Sequence, residues 1–213
     1  MFIGHFAAAF IIGYLFPGVP IIIPLLGISF PDILWSILVT AGIEKVKFDK
    51  DKPLMTDIVF ESYPISHSLL LTNVLVLGVG LILAVFLKNL FIIPIFVIAS
   101  ASHWFLDVIV HTKELPVLGF SDKDIKVGLG LWRWGTLAFV TEYLFYIAMA
   151  VITVPLNSLL FILLLGTFFH FLNINAFFGF KNEGVTGGSS TKYAILILFM
   201  IAVFIIIAQV LLG

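Results

Sequence analysis

The chain has 213 residues, of which 62% are hydrophobic and 11% charged, and its mean hydropathy is +1.22. A water-facing domain carries about 25% charged residues, so this composition excludes a soluble domain and points to an integral membrane protein, whose apolar exterior lipid can solvate. The net charge of −1 gives no bulk attraction to nucleic acid, and the absence of cysteine excludes disulfides and thiolate metal sites.

No basic stretch precedes Phe2-Ile3-Gly4-His5 and no small-x-small motif closes the first segment, so the start reads as mature chain rather than a cleaved signal peptide. Apolar runs bounded by charge, Gly and Pro fall at roughly 3–16, 20–43, 66–87, 90–112, 133–153, 155–177 and 193–212. The first is short for a span, and Pro17-Gly18-Val19-Pro20 separates it from the second, so the pair reads as a helical hairpin or one partly re-entrant element. Pro31 is expected to kink the second run or start a fresh helix. Gly184 to Ser190 reads as a Gly/Ser-rich loop. The fold class is therefore all-α, a polytopic transmembrane bundle of six or seven helices. It forms one domain over 1–213, with a motif-bearing core over 1–145 and two further helices over 155–213.

Seven passes would put the N-terminus and the loops near 44–65, 113–132 and 178–192 on one side. That side holds Lys45, Lys47, Lys50, Lys52, Lys113, Lys123, Lys126, Arg133, Lys181 and Lys192, against Lys88 alone on the other. Such an excess marks the cytoplasmic face. A single span through the first two runs would move the N-terminus to the opposite face.

Ionisable groups within apolar helices cost several kcal/mol and usually face the bundle interior. His103, Asp107 and His111 recur at i, i+4 and i+8, one helical face about 12 Å long. Imidazole and carboxylate are nitrogen and oxygen donors suited to zinc or a similar divalent ion. One ion cannot reach all three from a straight helix, so the site is binuclear or one member has another role. Asp32 follows Pro31, His67 lies between Ser66 and Ser68 at a helix start, His5 opens the first helix, and Glu142 and His170 sit inside later runs. Measured from the cytoplasmic helix ends, Asp32, His103, Asp107, Glu142 and His170 all fall within about 8–17 Å. Helices of opposite direction thus bring their polar groups to one layer, a cavity open to the cytoplasm or the inner leaflet. Each group also has a plainer reading. His170 is an interhelical hydrogen-bond partner, Glu142 pairs with Arg133, His5 reaches the interface, Asp32 pairs with a histidine, and His103 with Asp107 clamps two helices. The two serines read as helix caps, and Trp132 and Trp134 as an interfacial belt.

The order His5, Pro31-Asp32, Ser66-His67-Ser68, His103-xxx-Asp107 resembles the membrane-bound metal-dependent hydrolases, the group that includes the LexA-binding, inner-membrane-associated hydrolases. The wider group is similar to the zinc-dependent phospholipase C proteins, which are helical and bind metal through His and Asp. The resemblance covers residues 1 to about 145. Gly128-Leu129-Gly130-Leu131-Trp132, Glu142 and the acid-Leu-Pro at Glu114-Leu115-Pro116 look like features of a narrower branch, in which Asn is expected where this chain has Arg133.

The resemblance and the polar layer together imply a hydrolase of a membrane-embedded phosphoester or ester, in the cytoplasmic membrane of a prokaryote. His5, Asp32, His67, His103 and Asp107 would hold one or two divalent ions, zinc first. Glu142 or His111 would act as general base or orient a ligand imidazole. Lys123, Lys126 and Arg133 would hold an anionic lipid headgroup. The partner is then membrane lipid, and no nucleic acid is implied. Two other classes fit the same residues: a proton- or metal-ion-coupled transporter, and a non-catalytic scaffold stapled by a closed metal shell. Oligomeric state is left open. Five histidines with no His-His pair speak against a di-iron oxygenase, and there is no Gly-rich phosphate loop or Gly-x-Ser-x-Gly turn. Haem held by two histidines would leave Asp32 and Asp107 without a role.

Overall fold

The computed structural model describes residues 1–48, 54–121, 123–181 and 186–213; Lys50 and Lys52 of the first basic loop and Gly184 of the Gly/Ser-rich loop lie outside them. The chain is mostly helical. The helices are α1 (Ile3–Leu15), α2 (Ile22–Thr40), α3 (Leu69–Leu87), α4 (Ile92–Val110), α5 (Gly135–Thr153), α6 (Leu156–Leu172), the short α7 (Asn175–Phe178) and α8 (Ser190–Leu212). Five of them, α2, α3, α4, α5 and α8, are long and apolar enough to cross a membrane; α1 and α6 are shorter. Two small antiparallel pairs lie at one end: β1 (Lys45–Phe48) with β2 (Ile58–Ser62), and β3 (Leu115–Pro116) with β4 (Lys126–Val127).

The first two apolar runs form a hairpin of separate helices, broken where Pro17 to Pro20 cannot continue α1. α1 is an interior helix, buried around most of its circumference, and packs on α2, α4 and α5. Its Ala7-Ala8-Ala9 run lets these neighbours approach closely.

Pro31 neither ends α2 nor starts a new helix: one continuous α-helix runs through it. Proline lacks the backbone donor that would meet the Gly27 carbonyl, and on the same turn His103 Nδ1 donates to the Ile28 carbonyl at 2.6 Å, tying α4 to this part of α2. α4 is shorter than its sequence pattern predicts. It ends at Val110, and His111 leaves the helix with an extended backbone, ψ 152°. The segment over 128–130 closes this end, Leu129 N donating to Val108 O and Gly130 N to His111 O, both at 2.7 Å. Gly128 runs against the backbone of Thr112 at φ +153°, where a side chain has no room.

Candidate metal centre

Helices α1, α2 and α4, with the segment that leads into α3, bring the ionisable residues together. His5 comes from the first turn of α1, Asp32 from the middle of α2, His103 and Asp107 from α4, His67 from just before α3, and His111 from the residue that ends α4. Asp107 is the hub. Its Oδ1 lies 3.0 Å from His5 Nε2 and 2.9 Å from the Met1 amino group. Its Oδ2 lies 3.0 Å from His103 Nε2 and 3.9 Å from both His67 Nε2 and His111 Nε2. Asp32 Oδ1 stands 3.4 Å from His67 Nε2 and 4.0 Å from His103 Nε2, and its Oδ2 stands 3.9 Å from His5 Nδ1.

These groups could hold a metal ion. Two triads, His5/His103/Asp107 and Asp32/His67/His103, each have three ligating atoms within 4.8 Å of one another. A tetrahedral ion with bonds of about 2.0–2.1 Å sets its donors about 3.3 Å apart. The four carboxylate–imidazole spacings among Asp32 Oδ1, His67 Nε2, His103 Nε2 and Asp107 Oδ2, 3.0–4.0 Å, bracket that value. His103 Nε2 is a second sign. It is fully buried and has no hydrogen-bond partner among the described residues, its approach to Asp107 lacking the alignment of a hydrogen bond. A buried polar atom left so is rare in a folded chain, and a cation between the carboxylates would satisfy it.

Three of the imidazoles are held from behind. His103 Nδ1 donates to Ile28 O at 2.6 Å and His111 Nδ1 to Glu114 Oε1 at 2.9 Å, while His67 Nδ1 lies 2.8 Å from Ser66 Oγ. The carbonyl and carboxylate partners put the proton of His103 and His111 on Nδ1 and leave their Nε2 lone pairs toward the carboxylates, as ligating histidines require. His5 has no such support: both of its nitrogens face carboxylates, and its ring stacks on His103 with centroids 3.7 Å apart.

The His103–Asp107–His111 stripe differs from its sequence reading. Because α4 stops at Val110, His111 folds back instead of continuing the stripe, and His103 and His111 both come within 4 Å of the same Asp107 oxygen. The 12 Å separation of a straight helix does not apply. Trp132, read as part of an interfacial belt, is buried against His111 with ring centroids 4.2 Å apart, whereas Trp134 is exposed.

Glu142 does not pair with Arg133. Its Oε1 accepts from Phe2 N at 2.6 Å and Gly4 N at 3.1 Å, so a side chain of α5 caps the start of α1. That cap fixes the turn from which His5 projects. His170 fits its plainer reading: Nε2 donates to Phe139 O at 3.0 Å, and the ring stacks between Phe139 and Tyr143. Ser68 caps α3 by accepting from Thr72 N, but Ser66 serves His67 instead.

A small cavity opens over the cluster. It is lined by His5, Asp32, His67, Asp107 and His111 of the cluster, by Glu142, His170 and Asn173, and by apolar side chains that include Phe169, Phe177 and Ile197. Asp32 is the cluster's accessible member, its side chain 23% exposed against 6% or less for the others. Lys123, Lys126 and Arg133 are exposed and none lines this cavity, so they are not placed to hold a headgroup in it.

The residues that sequence reasoning missed are those behind the histidines. Glu44 is buried and binds Ser66, Glu114 binds His111, and Tyr63 packs edge-on against His67. Burial pushes the Tyr63 phenol far up, with Glu114, Asp107 and Glu44 adding to the shift, so it stays neutral. Comparison with protein-family models, curated proteins and solved structures finds no match to this chain.

Proposed function

We propose that this chain is a membrane-embedded metal-dependent hydrolase acting on a lipid or lipid-linked phosphoester or ester drawn from the cytoplasmic leaflet. One observation carries the proposal: a buried His/Asp cluster of metal-ligand spacing forms the floor of a cavity whose other walls are largely apolar. A polar reaction centre beside apolar walls suits a substrate with a polar ester and a hydrocarbon tail. The resemblance to membrane-bound metal-dependent hydrolases supports the same reading, and the exposed apolar faces of the long helices support a bilayer setting.

Asp32, His67, His103 and Asp107 would hold a divalent ion, with His5 and His111 completing the shell or serving a second ion. The all-nitrogen-and-oxygen donor set, without thiolate, suits zinc. When bound, such an ion supplies Lewis-acid polarisation of the scissile group and acidifies water. The chain's own residues do the rest. Asp107 orients several imidazoles at once. Glu142 uses Oε1 on α1, and Oε2 makes no hydrogen bond among the described residues, which leaves it free to take a proton from water in the cavity. The apolar wall excludes bulk water and seats the tail.

Elemental analysis of the detergent-purified protein beside His103→Ala and Asp107→Ala tests the proposal. One or two equivalents of zinc in the wild type, lost in both variants, is the expected result. It should be accompanied by metal-dependent cleavage of a phospholipid in mixed micelles. A well-folded wild type without metal would overturn the hydrolase and redirect the same groups to a proton or ion path, read as flux into liposomes.

A further inference from the structure

Glu44 stands in the turn after α2, where neither helical periodicity nor a metal-ligand spacing marks it. Its side chain is nevertheless buried, 2% exposed. Oε1 accepts from Ile65 N at 2.8 Å and Ser66 N at 3.0 Å. Oε2 accepts from the Ser66 hydroxyl at 2.5 Å. Ser66 Oγ in turn lies 2.8 Å from His67 Nδ1, and His67 Nε2 faces Asp32 Oδ1 at 3.4 Å.

The direction of this chain follows from donor and acceptor counts. A carboxylate only accepts, and a serine hydroxyl has one proton to donate. With that proton directed at Glu44, Ser66 Oγ can offer His67 only a lone pair. His67 must then carry its proton on Nδ1, and its Nε2 lone pair is left for the Asp32 side. Were Ser66 to donate to His67 instead, the imidazole proton would move to Nε2 and close the atom that faces the carboxylates. A carboxylate that merely stapled the loop to α2 would need only the two backbone N–H bonds at Oε1. The bond from Oε2 through Ser66 to His67 goes beyond that requirement, and its charge-assisted character makes it the strongest part of the network.

We infer that Glu44, acting through Ser66, is a positioning residue that fixes His67 in the tautomer able to ligate a metal. The inference rests on the metal-centre reading proposed above. It assigns Glu44 and Ser66 to the site although neither touches the cavity. Outer partners of ligating histidines commonly change metal affinity by about 10- to 100-fold when altered.

The test uses the full-length protein in detergent and compares Glu44→Gln, Ser66→Ala and Ser66→Thr with wild type. Zinc affinity is read by competition with a chelator, and the His67 tautomer by ¹⁵N NMR of histidine-labelled protein. Glu44→Gln is nearly isosteric and keeps an oxygen for the backbone donors, but presents an amide N–H to Ser66 and so reverses the chain. It is expected to weaken zinc binding about 10- to 100-fold and to move the His67 proton to Nε2. Ser66→Ala should weaken binding similarly, while Ser66→Thr, which keeps the hydroxyl, should retain wild-type affinity and tautomer. If Ser66→Ala fails to fold, the contrast between Glu44→Gln and Ser66→Thr decides. Glu44→Gln with an unchanged His67 tautomer would overturn the inference, whatever its zinc affinity, since any loss would then come from the loop. A zinc-free wild type would sink the hydrolase proposal alone, because the tautomer difference between wild type and Glu44→Gln still reads the relay.

Discussion

Glu142 joins the fold and the chemistry through its two oxygens. Oε1 caps α1 while Oε2 makes no hydrogen bond among the described residues and the residue lines the cavity, so substitution can separate the cap from the proposed base. Glu142→Gln keeps an acceptor for Phe2 N and Gly4 N. Its thermal midpoint in detergent should stay near wild type, while phospholipid cleavage falls about 10²- to 10⁴-fold for want of the base. Glu142→Ala removes the cap as well and should also lose about 0.5–2 kcal/mol of stability. Full activity in Glu142→Gln would reduce this residue to a cap. The same contrast explains what the sequence reveals at this scale. His103 and Asp107 are legible because four residues make one helical turn and both side chains share a face. Glu142 as the cap of α1 is not, since its partners lie 138 and 140 residues away and local spacing carries no trace of them. Glu44 and Glu114 are hidden for a related reason: each sits in a connecting segment, where neither periodicity nor hydropathy distinguishes a buried carboxylate from a solvated one.

Among the elements, α2 and α4 carry most of the centre and approach each other through small side chains. A methyl group added at Gly27 would lie 2.9 Å from both Ala99 Cβ and the Phe96 carbonyl oxygen. Close approach of this kind is what lets His103 reach the Ile28 carbonyl on the turn before Pro31. Gly27→Ala should therefore force the helices apart, at a cost of about 1–3 kcal/mol, and weaken zinc binding with it. Gly78→Ala in α3 is the control, because nothing lies within 4 Å of the added atom. There the better helix propensity of alanine should leave stability unchanged or raise it by up to about 1 kcal/mol. Equal midpoints for the two variants in thermal unfolding would mean that the α2–α4 contact does not limit the packing. Helix positions were readable from apolar runs: α2, α3, α4 and α5 each fall inside the run that predicts them, while α8 starts at Ser190, ahead of its run at 193 and at the residue read as the end of the Gly/Ser-rich loop. Their ends were less so. The pattern carries α4 on to residue 112 because valine and histidine fit a helix as well as a turn. The actual stop depends on backbone bonds from Leu129 and Gly130, which are remote in sequence. Of the two expectations for Pro31, the fresh helix is not seen, because α2 runs through it as one helix.

The whole molecule alternates direction, with the helix ends sorted to two sides. The turn before α2, the turn between α5 and α6 and the end of α8 meet at one end, lining a common cleft with Tyr14, Pro155 and Gln209. The His/Asp cluster, both strand pairs and the start of α8 lie toward the other. Between these ends the outward faces are apolar, with Leu144, Leu164 and Phe199 each more than half exposed. Water does not tolerate so extended a surface. A bilayer does, and the excess of Lys and Arg on the site end then predicts that this end is cytoplasmic. The absence of cysteine allows a background-free test. Gly18 is exposed in the turn between α1 and α2 with open space at its Cβ position, and Lys113 is exposed beside the site. A membrane-impermeant maleimide should label Gly18→Cys in intact cells and Lys113→Cys only in inside-out vesicles. The result bears on chemistry as well as topology. Asp32, the accessible member of the cluster, is nearer the site end, so the labelled side fixes which leaflet feeds the cavity. Labelling in the reverse pattern would leave the centre intact but require an outer-leaflet substrate. Labelling of both positions from both sides would remove the bilayer from the argument, and with it the lipid.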